Sequence, residues 1–251
     1  MIPIMQYDSE YPKSVLITGG AVRIGRTTAL HLARKGWNVV IHYRHSGDEI
    51  PQDLAELKAL KVKAVAVQAD LRVENALSGL IRQATATLGM PLTALVNNAA
   101  VFEKDQLSTF TRSDWDKHMD VNLYAPLRLI ADFAAQLPSS SHGSVVNLID
   151  GCEAMCMSPA FLTYSLSKYG LAHATRLLAQ DLAPRIRVNG ISPGLTLPKA
   201  GEEAMFDRLV AKLPLQRPTA PEEIAAMVAH LLESPSITGQ IVALDGGASV
   251  C

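Results

Sequence analysis

The chain has 251 residues, 48% of them hydrophobic but only 5% aromatic, with a formal net charge of −1. That length and composition suit a packed core of aliphatic layers, and the balanced charge offers no overall field to attract nucleic acid or an anionic membrane. No apolar run is long enough to span a bilayer, the first residues carry no basic-then-apolar leader, and three cysteines cannot all pair, so a reduced, cytoplasmic protein is expected.

The predicted elements alternate. Ser14 to Thr18 is a short apolar strand ending in a glycine turn, and Thr27 to Lys35 reads as a helix stopped by Gly36. Trp37 to Tyr43 is the next strand, Pro51 to Leu60 a helix with Leu54, Leu57 and Leu60 on one side, Lys63 to Gln68 a strand, and Glu74 to Leu88 a helix. Ala94 to Val96 leads into Asn97-Asn98-Ala99, and one long helical pattern runs through Trp115 to Leu137. The strand VVNLID (145–150) follows, then a helix from Tyr164 to Leu182, a strand from Ile186 to Ile191, a helix from Pro221 to Leu232 and a last strand from Gln240 to Leu244. Continuous apolar strands separated by helices imply a parallel sheet covered on both faces and joined by right-handed crossovers. The expectation is one doubly wound, Rossmann-type α/β domain over residues 1–251, with about seven strands. Residues 1–13 form an N-terminal extension and 195–215 a lid over the substrate, its stretch Thr196 to Leu213 apolar but unpatterned. Ligands in such sheets bind beyond the carboxyl ends of the strands.

Thr18-Gly-Gly-Ala-Val-Arg-Ile-Gly25 joins the first strand to the first helix. Glycine there permits a tight turn and close approach of a pyrophosphate to the helix N-terminus, although turns use glycine for their own sake too. Arg23 stands where a middle glycine is usual, and its guanidinium suits a phosphate or a substrate oxygen. After the second strand come Tyr43, Arg44, His45 and Ser46, with no acid until Asp48. Basic and hydroxyl groups at this place suit a ribose 2′-phosphate, hence NADPH rather than NADH.

Tyr164 and Lys168 are spaced i, i+4 and share one helix face. An ammonium beside a phenol brings it within reach of proton transfer at neutral pH. Asp150 lies at the end of the preceding strand. It can hydrogen-bond Tyr164, and its negative charge favours a phenol that keeps its proton as a donor.

Taken together, Thr18 to Gly25, Asp70-Leu71, Asn97-Asn98-Ala99, Asn122, Tyr164-x-x-x-Lys168, Arg187 to Gly194 and Leu244 to Gly247 resemble a short-chain dehydrogenase/reductase from Ser14 to Gly247. The resemblance implies hydride transfer with a nicotinamide cofactor. Gly19 and Ile24 would lie in the phosphate turn, Asp70-Leu71 near adenine, Asn98-Ala99 along the cofactor and Pro193-Gly194 near nicotinamide. Lys168 would hold the nicotinamide ribose, and Asn122 would order a water-linked proton relay. It further implies a homotetramer, and Gly170, Ala172 and Ala174 on the helix 164–182 would allow close contact.

Most of that family carries a serine where this chain has Asp150. Arg23, the run His42 to Ser46, Asp150 and Phe102 resemble the pteridine reductase branch, in which Phe102 would stack a pterin against nicotinamide. The order Arg44-His45 is reversed relative to that branch, and Ala100 stands where it often has a hydroxyl. The implied function is NADPH-dependent reduction of a pterin or folate held by Arg23, Phe102, Asp150, Tyr164 and Leu195. The alternatives are a ketone reductase, such as a 3-oxoacyl reductase, and a nucleotide-binding regulator without turnover. No metal site is expected. Met155 and Met157 would pack at the rim of the site, and Cys152 and Cys156 would be inert.

Overall fold

The computed structural model describes residues 11–45, 50–150 and 159–250. Seven strands, β1 (Ser14–Ile17), β2 (Asn38–Tyr43), β3 (Ala64–Gln68), β4 (Ala94–Asn97), β5 (Gly143–Leu148), β6 (Ile186–Pro193) and β7 (Ile241–Leu244), form one sheet in the order β3-β2-β1-β4-β5-β6-β7. Every neighbouring pair is parallel. The order reverses between β1 and β4, which opens the crevice where such sheets take their ligands.

The strands are apolar on both faces because both are covered. Val15, Ile17, Val39 and Ile41 point into a core built with α1 (Arg23–Arg34), α2 (Ile50–Ala59) and α8 (Pro221–Glu233). The intervening Leu16 and Val40 point the other way, with Leu95 and Val145, into a core built with α3 (Glu74–Leu88), α5 (Ala125–Gln136) and α6 (Leu162–Asp181). That two-residue alternation converts a featureless apolar run into two separate cores.

Two elements depart from the sequence expectation. The long helix expected through residues 115–137 is α4 (Arg112–Met119) and α5, joined by a wide turn of π-helix at Asp120–Tyr124. The stretch expected as a lid contains a short helix, α7 (Glu203–Val210), whose apolar Met205, Phe206 and Leu209 line the cleft. Elsewhere the elements fall where expected, with α1 starting four residues earlier, at Arg23. No helix among the described residues is long and apolar enough to cross a membrane.

Candidate active site

A cleft of about 420 Å³ opens at the carboxyl ends of β1, β4, β5 and β6. It brings together Arg23, Ile24, Asn98, Phe102, Asp150, Tyr164, Lys168, Pro193, Gly194 and Leu195 from separate stretches of chain. Gly19 and Ala99 pack beside it, whereas Tyr43, Arg44, His45, Asp70 and Leu71 lie off its lining, at and beyond the ends of β2 and β3. Ser46, Cys152, Met155, Cys156 and Met157 fall outside the described residues.

The glycine turn is built tightly. Gly19 has φ +62°, and a β-carbon on Gly25 would stand 2.1 Å from the Gly19 carbonyl oxygen and 2.7 Å from the Asn98 amide nitrogen. Arg23 also holds a left-handed backbone, at φ +51°, a conformation that glycine adopts most readily. Its guanidinium donates to the carbonyls of Leu197 (3.0 Å) and Pro198 (3.3 Å). The N-terminus of α1 has no side-chain cap and no acid in its first turn, which leaves a donor-rich surface suited to a pyrophosphate.

Two buried groups that the sequence reading included in its motifs without a role of their own, Thr18 and His42, hold this turn. Thr18 Oγ1 accepts the backbone N–H groups of Asn98 (2.9 Å) and Ala99 (3.0 Å), while the Asn98 side chain donates back to the Thr18 and Gly19 carbonyls. His42, 2% exposed, accepts the Gly19 N–H at Nδ1 (3.2 Å), and its Nε2 lies 3.1 Å from the Ala69 carbonyl. An Nδ1 that accepts leaves the proton on Nε2, so the ring is the neutral Nε2–H tautomer. Burial lowers its pKa to about 4, more than its hydrogen bond to Ala69 and nearby Asp70 raise it. The available signal was a histidine inside an otherwise apolar strand.

The rim beyond β2 is basic. Arg44 and His45 are exposed there. Asp70 is gripped by the Arg72 guanidinium at 2.6 and 3.1 Å, and that bond holds its carboxyl down to about 2.

At the other end of the cleft, Asp150 stands two residues beyond β5, pinned through its backbone carbonyl by the Ser192 hydroxyl (2.5 Å). Its carboxylate accepts a short hydrogen bond from the Tyr164 hydroxyl. Lys168, 3% exposed, donates from Nζ to the Leu148 carbonyl (2.8 Å), which fixes it beneath the same strand end. Asn122 is fully buried. Its amide clasps Val101, accepting from N–H (2.8 Å) and donating to C=O (2.9 Å), and it also donates to Ser167 Oγ (3.1 Å). The side chain expected to order a relay therefore ties the loop after β4 to α6.

Phe102 reaches the cleft from that loop, but its ring is already partnered. Phe161 stacks on it with centroids 4.6 Å apart and planes 9° apart, Tyr164 meets it edge-on at 4.7 Å, and the Lys199 ammonium lies 4.4 Å over its centre. Phe161 and Lys199 were not foreseen: neither sits at a motif position, although an aromatic three residues before Tyr164 was a legible hint.

A family model described as enoyl-(acyl carrier protein) reductase matches residues 20–249. The crystal structure of FolM alternative dihydrofolate reductase 1 from Brucella canis, complexed with NADP, is 42% identical with a TM-score of 0.88, covering 95% of each chain. A blue fluorescent protein from a metagenomic library, in complex with NADPH, is 30% identical with a TM-score of 0.87, covering 97% of this chain and all of its own. The 3-oxoacyl-(acyl-carrier-protein) reductase FabG of Staphylococcus epidermidis is 31% identical over 241 residues, 94% of this chain and 98% of its own. Glycine turn, Tyr164 and Lys168 on one helix, and a match spanning nearly every described residue lead to one conclusion: the chain belongs to the short-chain dehydrogenase/reductase family.

Proposed function

We propose that this protein is an NADPH-dependent reductase of pterins, taking a dihydropterin or dihydrofolate to its tetrahydro form. The observation that carries the reading is the hydrogen bond from the Tyr164 hydroxyl to the Asp150 carboxylate. An ionised carboxylate only accepts hydrogen bonds, so it offers nothing to a ketone oxygen. A dihydropterin carries N–H donors on the fused rings that hold its C=N bond, whereas a 3-oxoacyl chain has none on the carbons flanking its ketone. The FolM structures, from Brucella canis and Brucella suis and both with NADP, support the same branch and cofactor.

The residues fit the cofactor. The uncapped N-terminus of α1 and the close-set Gly19 and Gly25 suit a pyrophosphate, and exposed Arg44 and His45 suit a 2′-phosphate. When bound, the cofactor supplies a hydride to the carbon of the C=N bond. The electron pair of that bond moves to nitrogen, which takes the phenol proton of Tyr164. The Lys168 ammonium stabilises the phenolate left behind, and solvent returns its proton. Asp150 holds the phenol protonated until transfer and orients the heterocycle through its N–H groups.

The 3-oxoacyl reductase relatives favour a second reading, reduction of a ketone. NADPH oxidation by the wild type and Asp150→Ser, with dihydrobiopterin, dihydromonapterin, dihydrofolate and a β-ketoester, separates the two. A charge-assisted hydrogen bond is worth about 1.5–3 kcal/mol, so pterin turnover should fall roughly 10- to 100-fold in the variant. Ketoester turnover that survives the substitution, with no pterin activity in either protein, would overturn the proposal.

A further inference from the structure

Behind Tyr164 lies a buried polar chain for which the reaction above has no use. Asp105, Thr163 and His118 are 6%, 0% and 0% exposed. Thr163 donates to the Asp105 carboxylate twice, in a short bond from its hydroxyl and from its backbone N–H at 3.1 Å. His118 Nδ1 lies 2.7 Å from the same hydroxyl, and its Nε2 accepts the Glu103 N–H at 3.3 Å. An accepting Nε2 puts the imidazole proton on Nδ1, so every donor runs one way: His118 to Thr163 to Asp105. Buried from bulk solvent and with each donor matched to an acceptor, such a chain favours one arrangement.

Each member sits one or a few residues from the reaction. Thr163 directly precedes Tyr164, and Asp105 follows Phe102 by three. Phe161, at the N-cap of α6, makes no side-chain cap, and the Asp105 carboxylate replaces it from 58 residues away. Asp105 also makes a parallel bridge with Phe161, accepting from Leu162 N–H (3.3 Å) and donating its own N–H to Ala160 (3.0 Å). The His118 ring meets Tyr164 edge-on, with centroids 5.9 Å apart. The loop carrying Phe102 and the helix carrying Tyr164 are thus bolted together here, as they are at Asn122.

We infer that Asp105, Thr163 and His118 are positioning residues for hydride transfer, setting where the Tyr164 hydroxyl and the Phe102–Phe161 wall stand relative to the reacting carbon. None of them touches the cleft. Burial lowers the His118 pKa despite the neighbouring acids Asp105, Glu103 and Asp114, in keeping with the neutral ring the chain requires. The inference rests on Tyr164 as the proton donor, whichever substrate it serves.

The test compares wild type, Thr163→Val, Thr163→Ser and Asp105→Asn for kcat, substrate KM and NADPH affinity at a temperature where all are folded. Valine matches threonine in shape and keeps the backbone bond to Asp105, while asparagine keeps the shape of the acid but has one acceptor oxygen for the hydroxyl and the backbone N–H that the carboxylate serves with two. Misplacement of a reacting group by a fraction of an ångström to 1 Å costs about 10- to 100-fold. The expected result is a kcat at least about tenfold lower in Thr163→Val and Asp105→Asn, with NADPH affinity unchanged and Thr163→Ser close to wild type. An unchanged kcat in folded Thr163→Val overturns the inference. So does a loss that tracks NADPH affinity, or a serine variant as poor as the valine one. If the wild type reduces a β-ketoester and no pterin, the pterin reading fails while the same ratios on ketoester still decide this one; turnover of neither overturns both.

Discussion

Acid should weaken the fold through His42, before most carboxylates respond. Its imidazole is 2% exposed with a pKa of about 4, against an ordinary value near 6.5. As pH falls below 6.5 the unfolded chain takes up this proton first and the folded one resists. The stability contribution is therefore complete above pH 6.5, is lost progressively as pH falls to 4, and changes no further below that. A difference of about 2.5 pKa units corresponds to roughly 3 kcal/mol over the window. The assay is urea unfolding of wild type and His42→Asn at pH 7.5, 6.5, 5.5 and 4.5. His31 and His118, whose pKa values burial also lowers, are present in both proteins and cancel in the difference. Asp70 and Glu223, each held at about 2 by an arginine, give up their contributions mostly at lower pH. The wild type should lose about 2–3 kcal/mol more than the variant between pH 7.5 and 4.5. NADP affinity should hold across most of this interval and fall only as the pH nears 4, where the folded ring itself takes up a proton and Nδ1 no longer accepts the Gly19 N–H. Parallel pH slopes for the two proteins would refute the assignment of this ring.

Two further substitutions probe the cleft. Gly25→Ala places a β-carbon 2.1 Å from a backbone oxygen, so the turn must open by about 1 Å; NADPH affinity should drop at least about tenfold, measured by titration of the cofactor's fluorescence, with the melting temperature lowered as well. Phe161→Leu removes the flat partner of Phe102, an aromatic pair worth about 0.5–1.5 kcal/mol, and steady-state kinetics should show the pterin KM changed by roughly two- to tenfold with NADPH affinity intact.

What the sequence made legible is what repeats locally. Apolar runs such as Val145 to Leu148 marked the strands, the 3.6-residue spacing of Leu54 and Leu57 marked α2, and Tyr164 and Lys168 declared a shared face through their spacing alone. What it hid is what depends on distant partners. Asp105 caps a helix 58 residues away, and Arg23 bonds carbonyls more than 170 residues on. Neither leaves a periodic trace. Phe102 was legible as an aromatic after the Asn97-Asn98-Ala99 run, but its partner Phe161 comes from another crossover, so the covered ring face was not. The helix α7 was missed because two turns with apolar Met205, Phe206, Leu209 and Val210 are too short for periodicity to separate from an irregular loop.

The π-turn at Asp120–Tyr124 has a consequence for insertions and deletions. A π-turn adds one residue to a helix and so shifts the angular phase of everything after it by about 100°. Before the turn, His118 looks towards Thr163; after it, Leu129 and Phe133 look into the core beneath the sheet. Asn122 sits inside the turn, with its amide directed at Val101. Removing a single residue there would restore a regular α-helix while leaving composition and hydropathy almost untouched. The two halves would then compete for orientation: either α5 keeps its aliphatic face on the sheet and His118 swings off Thr163, or α4 keeps its place and Phe133 turns out of the core. One residue of helix length thus works as a gear tooth, meshing a face that serves chemistry with a face that serves packing.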